Sequence, residues 1–104
     1  MMTAREKLPN RRPSEVFDFS AMGMRFTASV SRYPDGRISE LFCDNHKAGS
    51  AIGTLVRDSA ILLSFALQYG ADIEAISRAL GRDSNDHALG PIAEAIDRII
   101  GERP

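Results

Sequence analysis

The chain has 104 residues, enough for one domain with a small core and too few for two. Its 13 Lys and Arg against 14 Asp and Glu leave a formal charge of -1, which removes any global electrostatic drive toward nucleic acid or anionic membrane. A single cysteine, Cys43, excludes an intramolecular disulfide framework and a Cys-x-x-Cys redox pair, and it fits a reducing cytoplasm.

In chain order, residues 1–13 carry four basic groups and one acid, net +3, with two prolines. They read as a basic arm, flexible or pinned by contact elsewhere. Residues 71–104 carry four basic and seven acidic groups, net -3, so arm and tail are mutually attractive. The N-terminus lacks the apolar run of a secretory signal, and the uncharged stretch from Ser59 to Ala71 is too short and mixed to span a bilayer. The expectation is a soluble, cytoplasmic protein with no membrane role.

One α+β domain is expected over 14–101, followed by a tail at 102–104. Glu15 to Phe19 reads as a short strand and Ser20 to Gly23 as its turn. From Met24 to Tyr33 the alternation is clear: Met24, Phe26, Ala28 and Val30 share one face, Arg25, Thr27, Ser29 and Ser31 the other. Tyr33-Pro34-Asp35-Gly36 supplies a tight turn, and Arg37 to Cys43 a third strand. Gly49-Ser50 reads as the N-cap of a helix to Tyr69, with Gly70 as its stop. Asp72 caps a shorter helix carrying Ile73, Ile76 and Leu80, and Pro91 opens a last one carrying Ile92, Ile96, Ile99 and Ile100. The predicted fold is a three-stranded antiparallel meander followed by about three helices, the first long and largely buried.

After Asp58 that first helix places Ile61, Leu62, Leu63, Phe65, Ala66 and Leu67 in every direction, so it needs cover all round. The sheet and two short helices leave room for an uncovered strip, which points to a homodimer.

Three constellations are candidates for function. His46, Lys47, Gly49 and Ser50 precede the long helix, where free N–H groups and the helix dipole favour a phosphate or another anion. The plainer reading is a cap beside a solvated lysine, and Lys47-x-Gly49-Ser50 is not the Walker order. Arg57 and Asp58 interrupt the apolar helix within two turns of Ser50, either to reach an anion or an opposing subunit, or to mark an exposed edge. The connector Arg82, Asp83, Ser84, Asn85, Asp86 and His87 crowds polar groups between two helices, as a loop site or as ordinary turn chemistry. No metal is expected, because Cys43, His46, Asp83, Asp86 and His87 have no recognised ligand spacing.

No Gly-x-Ser-x-Gly elbow appears, and catalysis by the chain alone finds no evident nucleophile. Cys43 beside His46 reads as a reactive thiol or, more commonly, a core residue. A different class is open at 66–80, where a glycine turn resembles a helix-turn-helix; with the basic arm it would serve a DNA-binding or protein-interaction regulator, though Asp72 and Glu74 sit where base contacts belong.

Taken together, Ile38-Ser39-Glu40-Leu41-Phe42, Lys47-Ala48-Gly49-Ser50, the helix from Ala60 to Gly70 and Ile73-Glu74-Ala75-Ile76 resemble the TSCPD domain. Small stand-alone members share the Leu8-Pro9-Asn10-Arg11-Arg12 opening and the stretches Arg82-Asp83-Ser84 and Gly90-Pro91-Ile92. The resemblance runs from about Leu8 to Ile100. The family is named for a Thr-Ser-Cys-Pro-Asp motif, which is absent here, and is typical of the C-terminal part of adenosylcobalamin-dependent (class II) ribonucleotide reductases. It implies a link to deoxyribonucleotide supply for DNA synthesis, a reductase subunit or a nucleotide as partner, and adenosylcobalamin by association only. Class II chemistry uses several thiols in a large barrel, so the resemblance implies an accessory or regulatory module and not a complete reductase.

Overall fold

A computed structural model describes residues 4–10, 14–47 and 49–101. Strands β1 (Ser14–Ala21), β2 (Met24–Arg32) and β3 (Ile38–Asn45) form an antiparallel sheet in the order β1-β2-β3. Helices α1 (Ala51–Gln68), α2 (Ile73–Ala79) and α3 (Pro91–Gly101) follow, which is the α+β arrangement expected.

The first hairpin is tighter than its composition suggests. Ser20 pairs with Arg25 and Ala21 with Met24, so the turn shrinks to Met22-Gly23, with φ of 54° and 72°. Two consecutive positive φ values are the type I′ geometry whose twist matches the flanking strands. Ser20 and Ala21 have weak strand preference of their own, and cross-strand pairing overrides it.

Alternation puts Phe19 from β1, Phe26, Ala28 and Val30 from β2, and Leu41 and Cys43 from β3 into the core. Phe19 and Phe26 stack with ring centroids 5.6 Å apart. Val56, Ala60, Leu63 and Leu67 of α1 and Ala95, Ile96 and Ile99 of α3 close the core from the helical side. Each large side chain so buried contributes about 1.5–3 kcal/mol.

The buried face of α1 also carries polar groups, because it covers the free edge of β3. Ser64 Oγ accepts from the Leu41 N–H at 2.9 Å, and its own hydrogen is within reach of the Leu41 and Ala60 carbonyls at 2.9 and 2.8 Å. One turn later Gln68 Nε2 donates to the Ser39 carbonyl at 3.0 Å. An edge strand's open backbone groups are thereby satisfied by its own helix. At its C-terminus Gly70, φ 97°, donates to the Leu67 carbonyl and Ala71 to Ala66, the paired bonds of a Schellman motif.

The opposite strip of α1 stays open: Leu62 is 70% exposed, Leu55 62%, and Ile61 and Phe65 44% each. The sheet covers one side only, and the two short helices do not enclose the other. By length and composition α1 could cross a membrane, yet its Val56, Ala60, Leu63 and Leu67 are core residues.

Residues 5 and 6 tie the N-terminal segment across the domain. Glu6 donates its N–H to the Gln68 carbonyl and accepts both Arg37 Nη groups at 3.0 Å, while Tyr33 donates to the Glu6 carbonyl. Residues 1–3, 11–13 and 102–104, the rest of the predicted arm and the tail, lie outside the described residues.

Candidate functional site

The loop from β3 into α1 is organised by Asn45, a buried residue that sequence reasoning passed over. Its Nδ2 donates to the Arg25 carbonyl at 3.1 Å, while Oδ1 accepts from the Lys47 N–H at 3.0 Å and from Ser50 Oγ at 3.1 Å. Ser50 Oγ in turn accepts from Gly53 N–H at 3.0 Å, the N-cap bond. Since a hydroxyl has one hydrogen, and Ser50 gives it to Asn45, this side chain is spent as a cap. Gly49 takes the left-handed φ of 73° that the loop requires. Lys47 is exposed, and the N–H groups of Ala51 and Ile52 have no partner among the described residues.

The outward sheet face beside this loop carries a row set by strand register. Asp18 pairs with Thr27, and Thr27 with Asp44. Thr27 Oγ1 donates to Asp18 at 2.6 Å and lies 2.8 Å from His46 Nε2. With the threonine hydrogen on Asp18, His46 is the donor of the second bond. A serine-protease-like triad needs the hydroxyl to donate to the imidazole and the acid to hold the other ring nitrogen, so this row is not an activated nucleophile.

Arg57 Nη1 reaches Asp44 at 3.0 Å, and Arg25 Nη1 reaches Ser20 Oγ at 2.8 Å. Asp58 pairs with neither arginine, because successive helical residues do not face each other and Arg25 is turned to Ser20. Asp58 stands exposed, with no partner among the described residues. The start of α1 thus has Lys47 in the loop before it, Arg57 two turns along it and held by Asp44, and His46 held by Thr27 on the adjoining sheet face. Asp18, Thr27 and Asp44 are invisible to motif reading, since only the register brings them together.

Cys43 faces the core, and burial pushes its thiol up to about 11. Alternation sends it away from the outward face where His46 meets Thr27, so thiol and imidazole are not brought together.

The connector is held from within. Arg82 forms a forked pair with Asp97, Nη1 to Oδ2 at 2.8 Å and Nη2 to Oδ1 at 2.7 Å, and also donates to Ser77 Oγ at 2.7 Å and the Asp86 carbonyl at 3.0 Å. The Arg82 guanidinium holds the Asp97 carboxyl below its ordinary range. Asp83 accepts from the N–H groups of His87 at 3.0 Å and Asn85 at 2.8 Å, which holds its carboxyl below the ordinary carboxylate range. Ser84 and His87 are exposed at the tip. Among the described residues no three His, Cys, Asp or Glu side chains assemble as a metal cluster. In the 66–80 segment, α2 is seven residues long and buries Ser77.

A profile of the TSCPD domain matches residues 2–103, and the chain belongs to that family. It is 40% identical over 70 residues to a vitamin B12-dependent ribonucleotide reductase of Agrobacterium fabrum, a match covering 67% of this chain and 6% of that protein. Proteins of the same description from Rhodopirellula baltica and Bradyrhizobium diazoefficiens are 42% and 35% identical over 72 and 74 residues, covering 69% and 71% of this chain and 7% and 6% of theirs. The chain therefore matches only a small fraction of the length of these relatives, and family membership links it to ribonucleotide reduction. No solved structure matches it.

Vitamin B12 belongs to those relatives by name. The residues described here do not fit a corrin: His46 Nε2 is engaged by Thr27, and His87 sits on the exposed connector. A cleft of about 670 Å³ has the charged groups Arg32, Asp35, Arg37, Asp72 and Glu74 in its lining.

Proposed function

We propose that this chain is an accessory or regulatory module of vitamin B12-dependent ribonucleotide reduction, without reductase chemistry of its own, and that it engages a phosphate or nucleotide at the mouth of α1. The observation that carries the first part is the family match over 2–103 in a chain whose one thiol, Cys43, is buried. Ribose reduction by the family's route uses several thiols, so the contribution of this module is to bind, position or regulate. A reductase subunit is the partner this reading assigns, and the cytoplasm its setting.

The second part is supported by an exposed Lys47 in the loop, Arg57 two turns along α1 and first-turn N–H groups without a partner among the described residues, which would together receive phosphate oxygens. Asp44 holds Arg57 until an anion displaces it. His46 adds a donor, Gly49 shapes the loop, and Ser50 acts through the cap instead of touching the ligand.

Isothermal titration with inorganic phosphate, ribonucleotides and deoxynucleotides tests the site. The expected result is binding of at least one of them that falls about tenfold in Lys47→Ala and again in Arg57→Ala, equivalent to about 1.4 kcal/mol each. No heat with any of these ligands overturns the anion site.

A further inference from the structure

The exposed strip of α1 has a property beyond its apolarity. Leu55, Asp58, Leu62 and Phe65 recur at three- and four-residue intervals, so they form a single stripe, with Ile61 on its flank. Asp58 stands within this stripe among leucines and has no partner among the described residues. A carboxylate so placed is left for a cation that none of the described residues supplies.

A cation lies on the same stripe two turns away. Arg5 sits over the Phe65 ring, its guanidinium carbon 4.7 Å from the centroid, and its Nε donates to Gln68 Oε1 at 2.5 Å. The Nη groups of Arg5 have no partner among the described residues. Asp58 and Phe65 are seven residues apart, about 10.5 Å along the axis, so Arg5 and Asp58 of one chain cannot meet.

We infer that the α1 strip is a self-complementary surface that binds a second copy of this chain in antiparallel orientation. With a two-fold axis passing between Ile61 and Leu62, Asp58 of one copy stands opposite Phe65 of the other and meets the Arg5 that covers it. The same operation places the second Asp58 against the first Arg5. Two symmetric ion pairs then flank a centre of Ile61 and Leu62 from both copies, as an isologous interface requires. A parallel arrangement sets Asp58 against Asp58 and is disfavoured by charge. One helix against one helix is a small interface, so association is expected in the micromolar range and weakens with salt.

Analytical ultracentrifugation of the full chain over roughly 1–200 μM tests this. The wild type should move from monomer to dimer. Leu62→Glu, at a side chain whose exposure leaves the fold intact by circular dichroism, should shift the midpoint at least about tenfold upward. Asp58→Arg should weaken dimerisation, and the swap Asp58→Arg with Arg5→Asp should restore it. A monomer at every concentration, a dimer indifferent to Leu62→Glu, or a swap that fails to restore association overturns the inference. So does a monomeric chain whose binding to a reductase is lost in Leu62→Glu, which assigns the strip to that partner.

Discussion

Asn45 joins β2, through the Arg25 carbonyl twenty residues away, to its own loop, through the Lys47 N–H and the Ser50 hydroxyl that caps α1. Gly53 belongs to the same cluster, since a Cβ there would lie 3.0 Å from Ser50 Oγ and 3.7 Å from Asn45 Cβ. Removing Asn45 leaves buried partners unsatisfied, whereas removing Ser50 costs one cap. Asn45→Ala should therefore lower stability by about 2–3 kcal/mol and Ser50→Ala by about 1 kcal/mol, read from urea denaturation. The reverse order would contradict this view of the loop. Ser50 and Asp72 are legible as caps because their bonds close within three residues. Asn45, Asp18 and Thr27 are not, because their roles depend on which strand residues face one another.

At the scale of elements, helix ends and strand alternation follow from local chemistry, and they hold in Gly70, Asp72, Pro91 and the inward face of β2. The edge of β3 does not, since Ser64 and Gln68 on an apolar helix look like interruptions until β3 is placed beside them. The connector shows the same limit. Arg82 reads as a loop cation, but in three dimensions it locks Ser77 of α2 to Asp97 of α3.

That lock should be acid-sensitive. Asp97 has a depressed folded-state value, with Arg82 the main cause and Ser77 a further hydrogen-bond donor. A depressed carboxylate contributes stability that is complete above its unfolded value, about 3.9, and is lost as pH falls through the lower folded value. The stability difference between wild type and Asp97→Asn should therefore be constant from neutral pH to about 5 and shrink below about 4. Urea midpoints across that range measure it, and a difference that is flat down to the acid limit would contradict the assignment.

The whole molecule joins a sheet packed on one side of a long helix to an open strip on the helix's other side and a cationic mouth at its N-terminus. The covered side makes the fold. The proposed roles of the strip and the mouth lie on separate surfaces with separable variants, Leu62→Glu for one and Lys47→Ala for the other. The family is legible in the sequence because hairpin, loop and helix match together. The pairing of Arg57 with Asp44 is not, because strand register and helix placement together bring those two side chains into reach.

The proposed accessory role in ribonucleotide reduction predicts an effect on a reductase. The most direct measurement is turnover of a vitamin B12-dependent ribonucleotide reductase, with its nucleotide dependence, in the presence and absence of the purified chain. A saturable change in rate or nucleotide dependence, reduced by Lys47→Ala, is the predicted result. Identical turnover at every concentration of the chain, with no co-sedimentation of the two proteins, would contradict it.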